Sequence, residues 1–162
     1  MTEIKKYPTS SYRYIEHNSA LTRGAKLAVL QHHEQPDGQG YPLGLTNEKI
    51  HPYAKIISIA DAYHAMTSNR FYQQGNSFDQ VIIDMQKDSN QKFDQHYLAT
   101  FISCIEESLL NEHVYLSNGK TGTIVALSFS NYPEFIVKIH DFNEIRSLLK
   151  EDDLHVKAII EK

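Results

Sequence analysis

Twelve consecutive residues constrain this chain more than any other stretch: Gln31-His32-His33-Glu34-Gln35-Pro36-Asp37-Gly38-Gln39-Gly40-Tyr41-Pro42. Two adjacent histidines are followed at once by a carboxylate, then by a glycine-punctuated turn ending in Tyr-Pro. Neutral imidazoles and carboxylates are ligands for manganese, iron, zinc and related ions. Glycines let a backbone turn sharply or approach a ligand closely. A helix end that carries such ligands into such a turn reads as a site and not as a spacer.

The pattern on either side is helical up to about Asn111. The spacing predicts a short helix over Tyr12 to Leu21 and an N-cap at Thr22. The helix that Thr22 starts runs to His33. A long loop over 34–51 follows, rich in Gly, Pro and Asn, and loops of that length tend to be functional. Pro52 suits the first turn of a helix reaching about Ser68. Ser77 is expected to cap a helix over Phe78 to Lys87, and Asp94 one over Gln95 to Leu110. Met1 to Lys6 reads as helix continuing from an earlier start. After Asn111 the pattern becomes β-rich. Val114–Ser117 and Thr123–Leu127 flank Asn118-Gly119, a strong hairpin signal. Phe135–Ile139 and His155–Ile160 are a third and a fourth strand. The expected organisation is a helical part over 1–111 and a small β-rich extension over 112–162.

His32 falls on the apolar side of its helix, in line with Ala25, Ala28 and Val29. His33 would point ~100° away, one residue being one step of a 3.6-residue turn. Such a pair chelates one ion poorly but can reach two ions a few ångströms apart, as two-metal phosphoesterases require. Asp61 sits on a helix with Ile56, Ile57, Ile59 and Ala60, where a buried carboxylate is costly unless paired or bound to metal. Glu34 could orient His33 from behind, and Asp37 suits the turn itself. Lys55 is either a phosphate contact or a solvated lysine at a helix start.

The run at 31–42 resembles the HHE-x-x-DGxGYP signature of HD-GYP domains, within the HD superfamily of metal-dependent phosphohydrolases. The likeness continues through Tyr53-Ala54-Lys55-Ile56-Ile57-Ser58-Ile59-Ala60-Asp61-Ala62-Tyr63 and into Ala65-Met66-Thr67-Ser68-Asn69-Arg70-Phe71-Tyr72. It implies a mainly α chain, part of an HD-superfamily helical bundle, followed by a small C-terminal β-appendage. It also implies cyclic di-GMP hydrolysis and divalent metal ions, iron or manganese. His32, His33 and Asp61 would be the metal ligands, with Asp61 bridging. Arg70 matches an arginine associated with ligand phosphate, and Asp37, Gly38, Gly40, Tyr41 and Pro42 form the motif loop.

The His-Asp pair that names the superfamily does not precede His32, and the Gly-Lys segment that usually follows the pair is also missing. Tyr7-Pro8 stands where the family usually has His-Pro. Phe71 replaces a proline, Gln73 a common basic residue and His64 an acidic one. The chain therefore resembles the C-terminal half of such a domain. Three carried-over ligands do not fill a two-metal site, so weak or absent activity of this chain alone is expected. The alternative is a non-catalytic nucleotide-binding or protein-interaction module derived from an HD-GYP domain. Apolar faces around Ala25, Val29, Ile57 and Ala60 call for a homodimer or a partner supplying the first half.

Composition narrows the rest. The chain has 162 residues, 41% of them hydrophobic and 22% charged, which is ordinary for a globular protein. A net charge of −4 offers no electrostatic reason to bind a nucleic-acid polymer. Cys104 is the only cysteine, which suits a reducing cytoplasm. No apolar run approaches a membrane span, and no signal-peptide core stands at the start.

Overall fold

Pro8 lies within the first turn of the first helix, where its fixed φ and missing N–H cost nothing. In a computed structural model, which describes residues 3–67, 78–87, 89–129, 134–141, 143–149 and 153–160, a 3-10 turn over Glu3–Lys6 leads into this helix, α1 (Tyr7–Ile15). The helix starts and stops earlier than the periodicity predicts. The Asn18 N–H bonds the Ile15 carbonyl, and the Asn18 side chain accepts the Ala20 N–H at 2.9 Å. The Lys26 ammonium takes the Glu16 carbonyl at 2.7 Å. These local bonds offer the backbone an alternative to further helix.

Helix α2 (Arg23–Gln31) begins as expected, with the extended Thr22 accepting the Ala25 N–H at 3.2 Å. It ends at Gln31, two residues sooner than read from the sequence. His32 becomes the C-cap, and its N–H still reaches the Ala28 carbonyl. Helix α3 (Pro52–Thr67) starts at the expected proline. The segment between them holds one further 3-10 turn, Asn47–Lys49. Gln31, buried at 6% exposure, accepts the His51 N–H at 2.8 Å and so ties the end of α2 to the start of α3. At Gly24 a Cβ would meet the rings of His51 and Tyr53 at 2.9–3.0 Å, so the small residue permits this approach.

Helices α4 (Phe78–Lys87), α5 (Ser89–Lys92) and α6 (Gln95–Leu109) follow. Asp94 caps α6, its Oδ1 accepting N–H groups of His96 and Tyr97. The expected cap at Ser77 lies outside the described residues. The chain groups into two compact units, one of Met1–Gln74 with Asp84–Ala99 and one of Gly75–Ile83 with Thr100–Lys162. In the first, Pro8, Ala28, Ile50, Ala54 and Ile59 are buried.

The second unit contains a five-stranded antiparallel sheet, β1 (His113–Leu116), β2 (Thr121–Ser128), β3 (Glu134–Ile139), β4 (Glu144–Leu149) and β5 (Val156–Ile159), in the order β4-β3-β2-β1-β5. Asn118-Gly119 does turn the first hairpin, with Gly119 at φ +82. Val114, Leu116, Ile124, Val137, Ile139 and Leu148 are buried and supply its core. Strand β4 went unread in the sequence: it is an edge strand with only Leu148 buried, so it lacks an inward apolar row. Among the described residues no helix is long and apolar enough to cross a membrane.

Candidate metal centre

Because α2 stops at Gln31, His33 lies beyond the helix and the expected 100° divergence of the two histidines does not arise. His32 and His33 sit with ring centroids 4.2 Å apart, and both Nε2 atoms converge on the phenol oxygen of Tyr7. Tyr7 Oη is 2.7 Å from His32 Nε2 and also hydrogen-bonded to His33 Nε2. His32 Nδ1 lies 2.9 Å from the Val29 carbonyl and 3.3 Å from that of Ala28. A carbonyl can only accept, so Nδ1 carries the proton and Nε2 presents a lone pair. This is the arrangement that fixes the tautomer of a metal-binding imidazole. The phenol has one hydrogen. It donates to His32 Nε2, and His33 Nε2–H donates to the phenol oxygen.

The loop after the histidines is built around Glu34. This carboxylate is 3% exposed and accepts the N–H groups of Leu43 at 2.6 Å and Leu45 at 2.7 Å. Glu34 was expected to orient His33. Both its oxygens instead hold the far arm of the turn, because two backbone donors solvate a buried carboxylate well. Asp37 shapes the turn as read from the sequence: its Oδ1 accepts the Gln39 N–H at 2.9 Å, and Asp37 bridges to Thr46. Gly38 has φ +78. At Gly40 a Cβ would lie 2.3 Å from Gln35 N and 2.5 Å from Glu34 Cα, so no larger residue fits. Tyr41 follows, its N–H bonded to the His33 carbonyl and its ring stacked on His33 at 4.8 Å. The Tyr41–Pro42 peptide is cis. The Lys5 ammonium lies 5.5 Å from the Tyr41 ring centre.

Asp61 departs from expectation. It is exposed, as are Tyr53, Ile56, Ile57 and Ala60 on the same helix, so no burial cost argues for a metal at this carboxylate. Among the described residues no group of three or more His, Cys, Asp and Glu side chains draws together as an ion site. What links Asp61 to the histidines is its field. Burial pushes the Tyr7 phenol above its ordinary pKa, and Tyr41 and the Asp61 charge add to this. Burial and then Asp61 do the same to Tyr41. Burial lowers the His33 pKa, the neighbouring His32 lowers it further, and Asp61 opposes both. A His33 kept neutral is the form that binds metal.

Lys55 has a partner other than a phosphate. Its ammonium is 2.8 Å from Asp94 Oδ2, with the two side chains only 13% and 11% exposed. Burial raises the Asp94 pKa, but hydrogen bonds from Lys55, Asn47 and the Tyr97 N–H, with the Lys55 charge, bring it below the usual carboxylate value. Arg70, the expected phosphate contact, lies outside the described residues. The sequence marked Tyr7 only as a replacement for histidine and gave no role to Gln31. The signal available for Tyr7 was its position in a Tyr-Pro dipeptide.

The donor chemistry fits a divalent ion: two imidazole nitrogens on one point, one of them fixed by a backbone carbonyl, with an acidic field nearby. The model of the HD domain family matches residues 1–97. Cyclic di-GMP phosphodiesterase PdeB of Borreliella burgdorferi is 37% identical over 90% of this chain and 40% of its own length. Cyclic di-GMP phosphodiesterase PA4108 of Pseudomonas aeruginosa is 28% identical over 75% of this chain and 29% of its own. The 3'3'-cGAMP-specific phosphodiesterase 1 of Vibrio cholerae is 43% identical over 32% of this chain and 12% of its own. The chain thus spans less than half the length of each of these relatives.

Proposed function

The chain belongs to the HD domain family, and from that premise we propose that it is the portion of an HD-GYP-type metal-dependent phosphodiesterase that carries the histidine pair and the DGxGYP loop, acting on a cyclic dinucleotide, cyclic di-GMP first, in the bacterial cytoplasm. The observation that carries this reading is the convergence of His32 Nε2 and His33 Nε2 on one point beside a loop pinned by Glu34. A bound divalent metal, iron or manganese, supplies Lewis acidity toward water and phosphate oxygens.

The residues of the chain have separable tasks. His32 offers a lone pair aimed by the Val29 carbonyl. His33 is held against Tyr41 and kept neutral. Asp61, whose charge acts on Tyr7, His33 and Tyr41, is proposed as the third metal ligand from its motif position and not from its burial. Arg70 is assigned to substrate phosphate by its motif, while Lys55 is committed to Asp94. The exposed apolar face of α3, with Tyr53, Ile56 and Ile57, is where a second copy or a partner carrying the first half of the domain docks.

These ligands leave a two-metal site incomplete, so the chain alone turns over slowly or not at all. The test is incubation with cyclic di-GMP and Mn²⁺ or Fe²⁺, following the linear product. Near-background turnover is expected, together with metal-dependent dinucleotide binding that His33→Ala abolishes. Robust turnover lost in His33→Ala would overturn the incompleteness. Binding indifferent to both metal and His33 would overturn the phosphodiesterase reading.

A further inference from the structure

We propose that Tyr7 is a metal donor in this chain, its phenol oxygen completing an N,N,O face with Nε2 of His32 and Nε2 of His33 for a single ion. This rests on the reading of the two histidines as metal-binding. The geometry is specific. Around an ion with ligands at about 2.1 Å, neighbouring octahedral donors lie about 3 Å apart. Tyr7 Oη already stands 2.7 Å from His32 Nε2 and in contact with His33 Nε2. The two nitrogen–oxygen separations therefore lie within some tenths of an ångström of donor spacing.

The phenol is also held in place. Tyr7 opens α1, and the buried Pro8 anchors that turn. Its ring stands 5.7 Å from His32 and 5.4 Å from His33, at steep angles that direct the oxygen and not the ring face toward the nitrogens. Tyr41 is different: its ring stacks on His33 at 4.8 Å.

Coordination is a simple exchange. Protons now join the three atoms, from the phenol to His32 and from His33 to the phenol. To hold an ion, the phenol would release its proton to solvent and His33 would move its proton from Nε2 to Nδ1. No electron changes hands. An oxygen donor beside two imidazoles suits iron or manganese, and tyrosine oxygen is an established iron ligand.

The opposite possibility is that the phenol plugs the point where an ion would sit, and one experiment separates the two. The metal-free full chain is titrated with Mn²⁺, followed by the loss of its free-ion magnetic resonance signal, and separately loaded with ferric nitrilotriacetate. For a donor, Tyr7→Phe weakens Mn²⁺ binding at least tenfold and removes the visible tyrosine-to-iron charge-transfer band. Tyr7→His keeps the affinity but lacks the band, which also covers the case in which the phenylalanine variant folds poorly. Equal or tighter Mn²⁺ binding in Tyr7→Phe, or a band that survives in it, overturns the proposal. If His33→Ala still abolishes binding in that case, the histidine site stands without Tyr7. Failure of the unaltered chain to take up either metal overturns both.

Discussion

The Glu34 carboxylate accepts the Leu45 N–H at 2.7 Å across the loop that follows the histidines. Its other oxygen takes the Leu43 N–H, so one buried side chain closes the loop against the end of α2. Removing it leaves two backbone donors without an acceptor. Each charge-assisted bond of this kind is worth about 1.5–3 kcal/mol. Glu34→Ala is expected to destabilise the first unit by about 3 kcal/mol and to speed amide exchange at Leu43 and Leu45 selectively. Unchanged exchange at those two amides would show that Glu34 does not hold the loop.

Gly40 makes a sharper prediction about the same loop. A Cβ there would overlap the Gln35 nitrogen and the Glu34 backbone, neither of which can yield as a flexible side-chain end would. Gly40→Ala is expected to cost more than about 2 kcal/mol and to separate Tyr41 from His33. The ring-current shift of the His33 imidazole in proton NMR reports that stack. A variant that keeps both the shift and the melting temperature would refute the close approach.

The Lys55–Asp94 pair sets a pH dependence. Asp94 titrates below the usual carboxylate range in the folded chain. Its contribution is therefore complete above the unfolded-state value of about 4 and is lost as pH falls through the lower folded-state value. Lys55→Met should cost about 3 kcal/mol at neutral pH by stranding the carboxylate. Adding Asp94→Asn, which keeps the cap on α6, should recover most of that loss and flatten the acid limb of the urea-denaturation profile. An acid limb identical in all three proteins would contradict the pairing.

Much of this arrangement was legible in the sequence where a local rule decides it. Thr22, Pro52 and Asp94 start helices for reasons confined to one turn, and Asn118-Gly119 turns a hairpin for the same kind of reason. The glycines and Asp37 marked the loop. What escaped depends on partners distant in the chain. Glu34 faces amides nine and eleven residues on. Lys55 meets Asp94, 39 positions away. The two histidines converge because α2 ends before them, and no periodicity reports where a helix frays. Asp61 was judged by its apolar flanks, but Asp61 itself is exposed, as are Ile56, Ile57 and Ala60 with only Ile59 buried, so the inference from burial failed at its first step.

That exposed face of α3 has its own consequence. Tyr53, Ile56 and Ile57 are 53%, 51% and 44% exposed and lie at helical spacing. The chain is expected to associate, and light scattering over a dilution series should show a dimer or larger species at micromolar concentration. Replacing Ile56 and Ile57 by glutamate should shift it to monomer. An unaltered chain that stays monomeric and binds no hydrophobic dye would count against the docking role.

The proposal that His32 and His33 hold a divalent metal beside the Asp61 charge is tested most directly by where Mn²⁺ binds. Substoichiometric Mn²⁺ added to isotope-labelled chain broadens NMR signals near the bound ion. Broadening centred on His32, His33, Tyr41 and Asp61, and abolished together by His33→Ala, is the expected result. Broadening centred instead on the exposed His113 and His140 pair of the sheet, which share the Thr123 hydroxyl, would contradict it, as would uniform broadening across the chain.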